Sequence, residues 1–212
     1  MEFFWQCLIS LVAVVDPLAA AAIFAATTDR NTYNERRRMA RRAAAFASGI
    51  LFFFLFAGQA LLAWFSVSLD AFRIAGGIIL AVMSMDLLKA TDTGVRTTPA
   101  ELDEGISKPD VSLTPIAVPL LAGPGAISTV MVLAATQPAP KGVATVTIVI
   151  VLVGLLSWAI LHFSTSITRR LGATGMNVIS RLIGLLLLAV AVQFVLDGLN
   201  GFFFAGHPSP SV

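Results

Sequence analysis

The chain has 212 residues, of which 57% are hydrophobic and only 12% are charged, and its formal net charge is +2. A soluble domain of this length needs more charged residues to cover its surface, so the composition excludes a soluble globular protein. Long apolar stretches recur along the whole chain, and the mean hydropathy is +0.88, which indicates that lipid is the solvent. The single cysteine, Cys7, excludes a disulfide framework and a cysteine-based metal site.

Six stretches have the length of a membrane span, which is roughly 20 apolar residues. We therefore predict an all-α integral membrane protein with six transmembrane helices. The predicted spans are 3–28, 40–65, 69–91, 112–136, 143–168 and 176–204.

The first span is interrupted near its middle by Asp16 and Pro17. Proline lacks a backbone donor and disfavours the α conformation in the residue before it, and Asp is a favoured N-cap. The pattern predicts two half-helices, the second beginning at Pro17. A carboxylate at the centre of a membrane helix costs about 2.5–3.5 kcal/mol on insertion scales, which favours a functional role for Asp16. Capping of the half-helix is the alternative explanation.

The second span is preceded by Thr32 and Glu35, a capping-box pattern that predicts a helix start near Tyr33. Five arginines follow between Arg36 and Arg42, where they either bind anionic lipid headgroups or only anchor the topology; the positive-inside rule alone favours the anchor. Basic residues also follow the third and fifth spans. We therefore predict that these three loops are cytoplasmic and that both termini lie outside.

The fourth span contains a second central break, at Gly123, Pro124 and Gly125. It has no acidic side chain, so the amides and dipole of the following half-helix suit an anion such as a carboxylate. The break at Asp16 could instead hold an ammonium group. A small neutral amino acid carries both groups; a metal ion or another small polar solute stays open at this point. The predicted substrate-binding residues are Asp16, Pro17, Leu18, Ala19, Gly123, Pro124, Gly125, Ala126, Ser128 and Thr129.

The hydroxyl groups of Ser128 and Thr129 either reach the substrate or bond back to their own helix. An intramembrane hydrolase that uses Ser128 and His162 as nucleophile and base is the alternative of another class. Against it, His162 is expected near the cytoplasmic end of its span, whereas Ser128 is near the midplane. The sequence contains no motif that indicates a hydrolase, a cofactor, a metal site or a nucleic-acid partner. The sequence does not decide whether the protein forms a homo-oligomer.

An internal repeat is suggested by matching residues in the two halves. Arg73 to Gly76 resembles Arg181 to Gly184, and Pro17 corresponds to Pro124 at an offset that differs by one residue. Each half has three spans, so the second is inverted, as in many secondary transporters. We predict a first repeat at 1–91, a cytoplasmic linker at 92–111, a second repeat at 112–204 and an external tail at 205–212.

Four segments resemble the MarC family, within the wider set of LysE-like transporters. They are VVDPLAAAAIF (14–24), RIAGGIILAVMSMDLL (73–88), PLLAGPGAIST (119–129) and RLIGLLLLAVAVQFVLDG (181–198). The resemblance implies a six-helix inner-membrane protein and, from some family members, transport of small neutral amino acids such as glycine and alanine. The chain has Ala19 and Ala21–Ala22 where the family form carries a glycine and a further proline. We predict a secondary transporter with alternating access, in which Asp16 is a candidate for the coupling proton.

Overall fold

The computed structural model describes residues 2–29, 31–89, 111–138 and 140–204, and all regular elements in these ranges are helices. The predicted all-α membrane fold is confirmed. The predicted tail, and the predicted linker except for Val111, lie outside the described residues. The helices are α1 Glu2–Val15, α2 Pro17–Thr27, α3 Tyr33–Trp64, α4 Leu69–Lys89, α5 Ser112–Leu121, α6 Pro124–Thr136, α7 Lys141–His162 and α8 Ser164–Phe204.

Five helical stretches in the described ranges are long and apolar enough to cross a membrane: Glu2–Thr27, Tyr33–Trp64, Leu69–Lys89, Lys141–His162 and Thr174–Phe203. The predicted fourth span is instead built from α5 and α6, neither of which is long enough alone. We expected two half-helices here, but α5 is π-helical, and the Ala122 N–H donates to the Ala117 carbonyl at 2.9 Å. Pro115 and Pro119 supply no backbone N–H within α5, which weakens a regular α-helical ladder.

The start of α3 confirms the predicted capping box. The Glu35 N–H donates to the Thr32 hydroxyl at 3.4 Å, and the Thr32 N–H donates to the Glu35 carboxylate at 2.8 Å. These bonds satisfy amides that a helix start would otherwise leave free. The helix therefore begins at Tyr33, before the predicted apolar span. Its arginines belong to the same continuous helix as that span.

The junction of α7 and α8 differs from the prediction. The fifth span was expected to run to residue 168, but α7 ends at His162 and α8 begins at Ser164, with only Phe163 between them. A second interruption occurs at Gly172, whose φ of 63° and ψ of 179° are not helical. The polar segment 164–171 is therefore a short helix of its own, because its hydroxyl and basic side chains do not suit the apolar core.

The closest packing in the bundle is between α4 and α8, which run antiparallel. A Cβ added at Gly77 would lie 2.7 Å from Val195 Cγ2, and one added at Gly184 would lie 2.9 Å from Leu87 Cβ. Small residues at such positions let membrane helices approach each other. An antiparallel α4–α8 pair is what an inverted repeat requires, although the repeat itself stays a prediction.

The two ends of the bundle differ in charge. The end where α2, α4 and α7 finish and α3 and α8 begin carries Arg36, Arg37, Arg169 and Arg170. We call it the basic end and the other the opposite end.

Candidate functional site

Asp16 forms the first break and caps the helix that follows. Its φ of 45° and ψ of 67° lie in the left-handed region, which Asp tolerates better than most residues. The Ala19 N–H donates to its Oδ1 at 3.3 Å, and the side chain is only 1% exposed. Its own N–H still donates to the Val12 carbonyl at 3.0 Å, and the Ala20 N–H donates to its carbonyl at 3.3 Å. The first span therefore kinks at Asp16, and its second half begins at Pro17 as predicted.

Gly123 forms the second break without a side-chain cap. Ala122 is non-helical, with φ −110° and ψ 53°, and Gly123 is extended, with φ −75° and ψ 172°. The Ile127 N–H donates to the Gly123 carbonyl at 3.1 Å. Because Gly123 has no side chain, it offers the first-turn amides of α6 no side-chain acceptor to which they could donate. The amides of Gly125 and Ala126 are the donors concerned, since Pro124 has none.

The two breaks meet at mid-depth through Gly125. A Cβ added there would lie 3.4 Å from Val14 Cγ1, 3.1 Å from Met83 Sδ and 2.6 Å from Leu80 Cδ2. Leu80 and Met83 are near the middle of α4, and Val14 is two residues before Asp16. The fold thus brings the end of α1 and the start of α6 into contact against α4. A side chain at position 125 would push these elements apart.

The hydroxyl groups that follow the second break turn toward protein rather than open space. Thr129 is fully buried, and its Oγ1 donates to the Gly125 carbonyl at 2.8 Å. This is the back-bonding alternative considered from the sequence. Ser128 is 3% exposed, and its Oγ would lie 2.8 Å from a Cβ added at Gly76 of α4.

The remaining predicted residues differ in burial. Pro17, Gly123 and Ala126 are buried, and Leu18 and Ala19 are half-buried. Pro124 is exposed, so it contributes to the shape of the break and not to its enclosed face. The role of all these residues in binding stays a prediction.

The space described between α3, α7 and the two breaks is small. A crevice of about 10 Å³ lies between Val15, Leu121, Ala47 and Ser157, which is close to the minimum for one water molecule. A larger cavity of about 380 Å³ lies toward the opposite end, with Met131 of α6 among its lining residues. A substrate the size of an amino acid would need the bundle to open at mid-depth.

Ser157 of α7 was missed by the sequence reasoning. It is 2% exposed, it lines the midplane crevice, and its Oγ has no hydrogen-bond partner among the described residues. An unsatisfied hydroxyl group in an apolar interior is costly, so this position suits a polar ligand. The signal in the sequence was a hydroxyl residue within the otherwise apolar run from Ile148 to Leu161.

Ser128 and His162, the pair required by a hydrolase, are held by different parts of the fold. His162 lies at the basic end, where its Nε2 is 3.2 Å from the Tyr33 hydroxyl, whereas Ser128 packs on Gly76. The geometry therefore does not assemble a nucleophile–base pair. No group of three or more His, Cys, Asp or Glu side chains suitable for a metal ion is found within the described ranges.

Comparison with known proteins gives matches over nearly the whole chain. The family model described as "MarC family integral membrane protein" matches residues 1–203. A UPF0056 membrane protein of Aquifex aeolicus is 34% identical over 93% of this chain and 92% of its own length. The UPF0056 membrane protein YvbG of Bacillus subtilis is 39% identical over 95% of this chain and 96% of its own length.

A third relative extends the range of organisms. The UPF0056 membrane protein YhcE of Escherichia coli is 31% identical over 94% of this chain and 93% of its own length. No solved structure matches the chain. Apolar spans alone can resemble one another, but these matches cover both chains almost completely. The chain therefore belongs to the MarC family of integral membrane proteins.

Proposed function

We propose that this protein is a secondary transporter of small neutral amino acids such as glycine and alanine. One observation carries the proposal: two helix breaks at mid-depth touch through Gly125 and Val14, beside the buried carboxylate of Asp16. Interrupted helices at the midplane are the usual binding sites of secondary transporters. Backbone polar groups freed at that depth are costly unless they meet a partner or line a cavity.

The chemistry of the two breaks suits the two ends of a zwitterion. The uncapped first-turn amides of α6 and its helix dipole favour the carboxylate. The carboxylate of Asp16 favours the ammonium group, and the hydroxyl of Ser157 offers a further polar contact in the crevice. Glycine at position 125 and the small lining residues restrict the site to small side chains. Alternating access then consists of opening the closed midplane toward each side in turn.

Asp16 is also the residue that we propose for proton coupling. A carboxylate that binds an ammonium group can exchange that cation for a proton. If Asp16 does so, net uptake follows the imposed pH gradient. Equal uptake with the gradient collapsed would contradict the coupling and leave substrate binding untouched.

The membrane orientation is part of the same proposal. We propose a multi-pass protein of the inner (plasma) membrane with the basic end in the cytoplasm and both termini outside. A thiol at the start of α1 or of α4, introduced into a Cys7→Ser background, would then react with an impermeant reagent in intact cells. A thiol at position 32 would react only after the membrane is opened, and the reverse pattern would overturn the orientation.

The first experiment is uptake of labelled glycine and alanine into proteoliposomes by the wild type and Asp16→Asn. Asn keeps the capping group and tolerates the left-handed backbone but removes the charge. We expect saturable uptake in the wild type and its loss in Asp16→Asn. Asp197→Asn is the matched control, because Asp197 is an exposed acid on α8 that accepts from Gln193 at 2.7 Å.

The outcomes separate the candidate functions. Absence of uptake by folded wild-type protein would overturn the amino-acid assignment. Another small polar solute would then be the favoured substrate. Ser128→Ala distinguishes the enzyme from the transporter, because it would abolish a hydrolase and affect transport only modestly. Uptake that survives Asp16→Asn would reduce Asp16 to a helix cap.

A further inference from the structure

Two cavities open between α3 and α7 toward the basic end, away from the midplane breaks. One, of about 340 Å³, is formed by the start of α3 and the α7–α8 junction. The other, of about 430 Å³, runs along α3 and α7 toward the middle of the bundle. Both volumes fall in the range of roughly 300–1,000 Å³ that is typical of ligand sites.

The two cavities follow one another along the same pair of helices. Arg37 lines the first cavity, and Arg41, one turn further along α3, lines the second. On α7, His162 lines the first and Trp158, one turn earlier, lines the second, and their rings stack at a centroid distance of 5.9 Å and an angle of 23°. Because residues four apart share a helix face, the two cavities lie in line along both walls. We name this feature the α3–α7 groove.

The polar end of the groove is cationic and structured. The Arg36 guanidinium donates to the Ser164 hydroxyl at 3.5 Å and to the Thr165 hydroxyl, which ties α3 to the start of α8. Arg37 and Arg41 form no ion pair with an acidic side chain in the part of the chain that the structure describes. This end therefore presents positive charge that suits an anion such as a phosphate group.

The other end of the groove is apolar and open to the membrane. Leu155 is 56% exposed and Val151 is 46% exposed along its wall. Trp158 contributes an indole Nε1–H that has no hydrogen-bond partner among the described residues. Tryptophan is enriched at the membrane interface because it combines an apolar ring with one donor. The order along the groove is thus cationic, then the Trp158 ring, then hydrocarbon.

We infer that the α3–α7 groove binds one anionic phospholipid, with its phosphate between Arg37 and Arg41 and an acyl chain along α3 and α7. Charge complementarity carries this assignment, together with the presence of Arg41 and an apolar wall in the same cavity. A free anion would make no use of the apolar wall. A second copy of the chain docked here would bring its own arginines toward these ones. The site is separate from the helix breaks, so the inference does not depend on the proposed transport.

The test uses the fluorescence of Trp158 in nanodiscs. Two of the three tryptophans are removed by Trp5→Phe and Trp64→Phe, which are exposed at the opposite end. A minor fraction of phosphatidylglycerol or phosphatidylcholine with brominated acyl chains is then added to unlabelled phosphatidylcholine. We expect brominated phosphatidylglycerol to quench Trp158 several-fold more strongly than brominated phosphatidylcholine. Equal quenching by the two brominated lipids would overturn the inference. This comparison needs no substitution in the groove, so misfolding of a groove variant cannot confuse it.

Variants locate the two ends of the lipid. Arg37→Ala/Arg41→Ala should lower the apparent affinity for the anionic lipid roughly 30-fold, because each basic residue near an anionic surface is worth about a fivefold change. The matched control is Arg169→Ala/Arg170→Ala, which removes the same charge from the same end outside the groove, and it should keep the preference. An equal loss of affinity for the anionic lipid in the control would mean that the basic end attracts such lipids only diffusely. That result would overturn the site.

The apolar part and the rival occupants are tested separately. Ala45→Phe fills the groove wall and should weaken quenching by the lipid while both arginines remain. Inorganic phosphate that abolishes the preference, at matched ionic strength, would show a free-anion site and overturn the lipid assignment. Crosslinks between copies through position 45 that exclude the brominated lipid would show a protein interface instead.

Discussion

The break at Asp16 and the break at Gly123 lie at the same depth of the bundle, but different groups satisfy their backbones. At the first, a left-handed Asp caps α2 with its own carboxylate, and main-chain hydrogen bonds continue on both sides of it. At the second, an extended Gly offers no cap, and the preceding helix is π-helical. The first break is therefore capped by its own carboxyl group, whereas the second presents amide donors that no cap side chain accepts from.

This difference matters because the two breaks are in contact. Two charged breaks would repel each other, and two uncapped ones would offer only donors. One of each kind provides complementary groups within a single small site. The comparison also separates two requirements: the first break needs a particular side chain, whereas the second needs the absence of one at Gly125. The following variants test that contrast.

The largest expected effect separates charge from capping at the first break. Asp16→Ala and Asp16→Asn both remove the carboxylate, so the cost of its burial cancels in their comparison. Asn still caps the helix, which is worth about 1 kcal/mol, and it tolerates the left-handed backbone, where Ala loses roughly 1–2 kcal/mol. We expect the free energy of unfolding in mixed micelles to be about 2–3 kcal/mol higher for Asn. Equal stability would show that the break relaxes and needs no particular side chain.

Gly125→Ala tests whether the second break requires a residue without a side chain at position 125. The new Cβ would lie 2.6 Å from Leu80 Cδ2, and Leu80 is fully buried and cannot yield easily. Such overpacking costs about 1–3 kcal/mol, and we expect a matching loss of stability together with loss of uptake. Gly49→Ala is the control, since nothing lies within 4 Å of its Cβ, and it should stabilise α3 by up to about 1 kcal/mol. If Gly125→Ala were as stable as the wild type, α6 would not pack as closely against α1 and α4 at this position as in this structure.

The two prolines should differ in their effect on transport. Pro124→Ala should cost about 0.4–1 kcal/mol of stability through the unfolded chain and should keep uptake, because Ala122 and Gly123 still interrupt the span. Pro17→Ala restores a backbone donor at the first break and lets α1 and α2 join, so uptake should fall. Uptake assays and unfolding of both variants check this. Equal uptake would show that the kink at Asp16 does not require Pro17.

Thr129→Val should have the smallest effect. It removes the hydroxyl that donates to the Gly125 carbonyl, which helical bonding already satisfies. We expect a loss of about 0.5 kcal/mol, at the low end for a hydrogen bond, and uptake kinetics like those of the wild type. A large rise in the KM for glycine would contradict the back-bonded arrangement and would indicate that the Thr129 hydroxyl binds the substrate.

The sequence was sufficient for features that depend on neighbours along the chain. The six-span membrane fold followed from apolar length, the start of α3 at Tyr33 followed from a local capping box, and the kink at Asp16 followed from a proline that removes one donor. The all-α membrane fold, the start of α3 and the kink are confirmed, with five described stretches long enough to span and the fourth predicted span divided between α5 and α6. Membrane spans and helix caps are decided within a few residues of the positions that specify them.

Only the tertiary structure decided which groups meet. It set the end of α7 at His162, turned the Thr129 hydroxyl onto its own helix, added Ser157 to the midplane crevice and joined the two breaks through Gly125. It also aligned Arg37, Arg41 and Trp158 along one groove. The physical reason is that burial and close packing depend on which helix faces come together in space, and an apolar sequence carries little information about that choice because lipid and protein interior favour the same side chains.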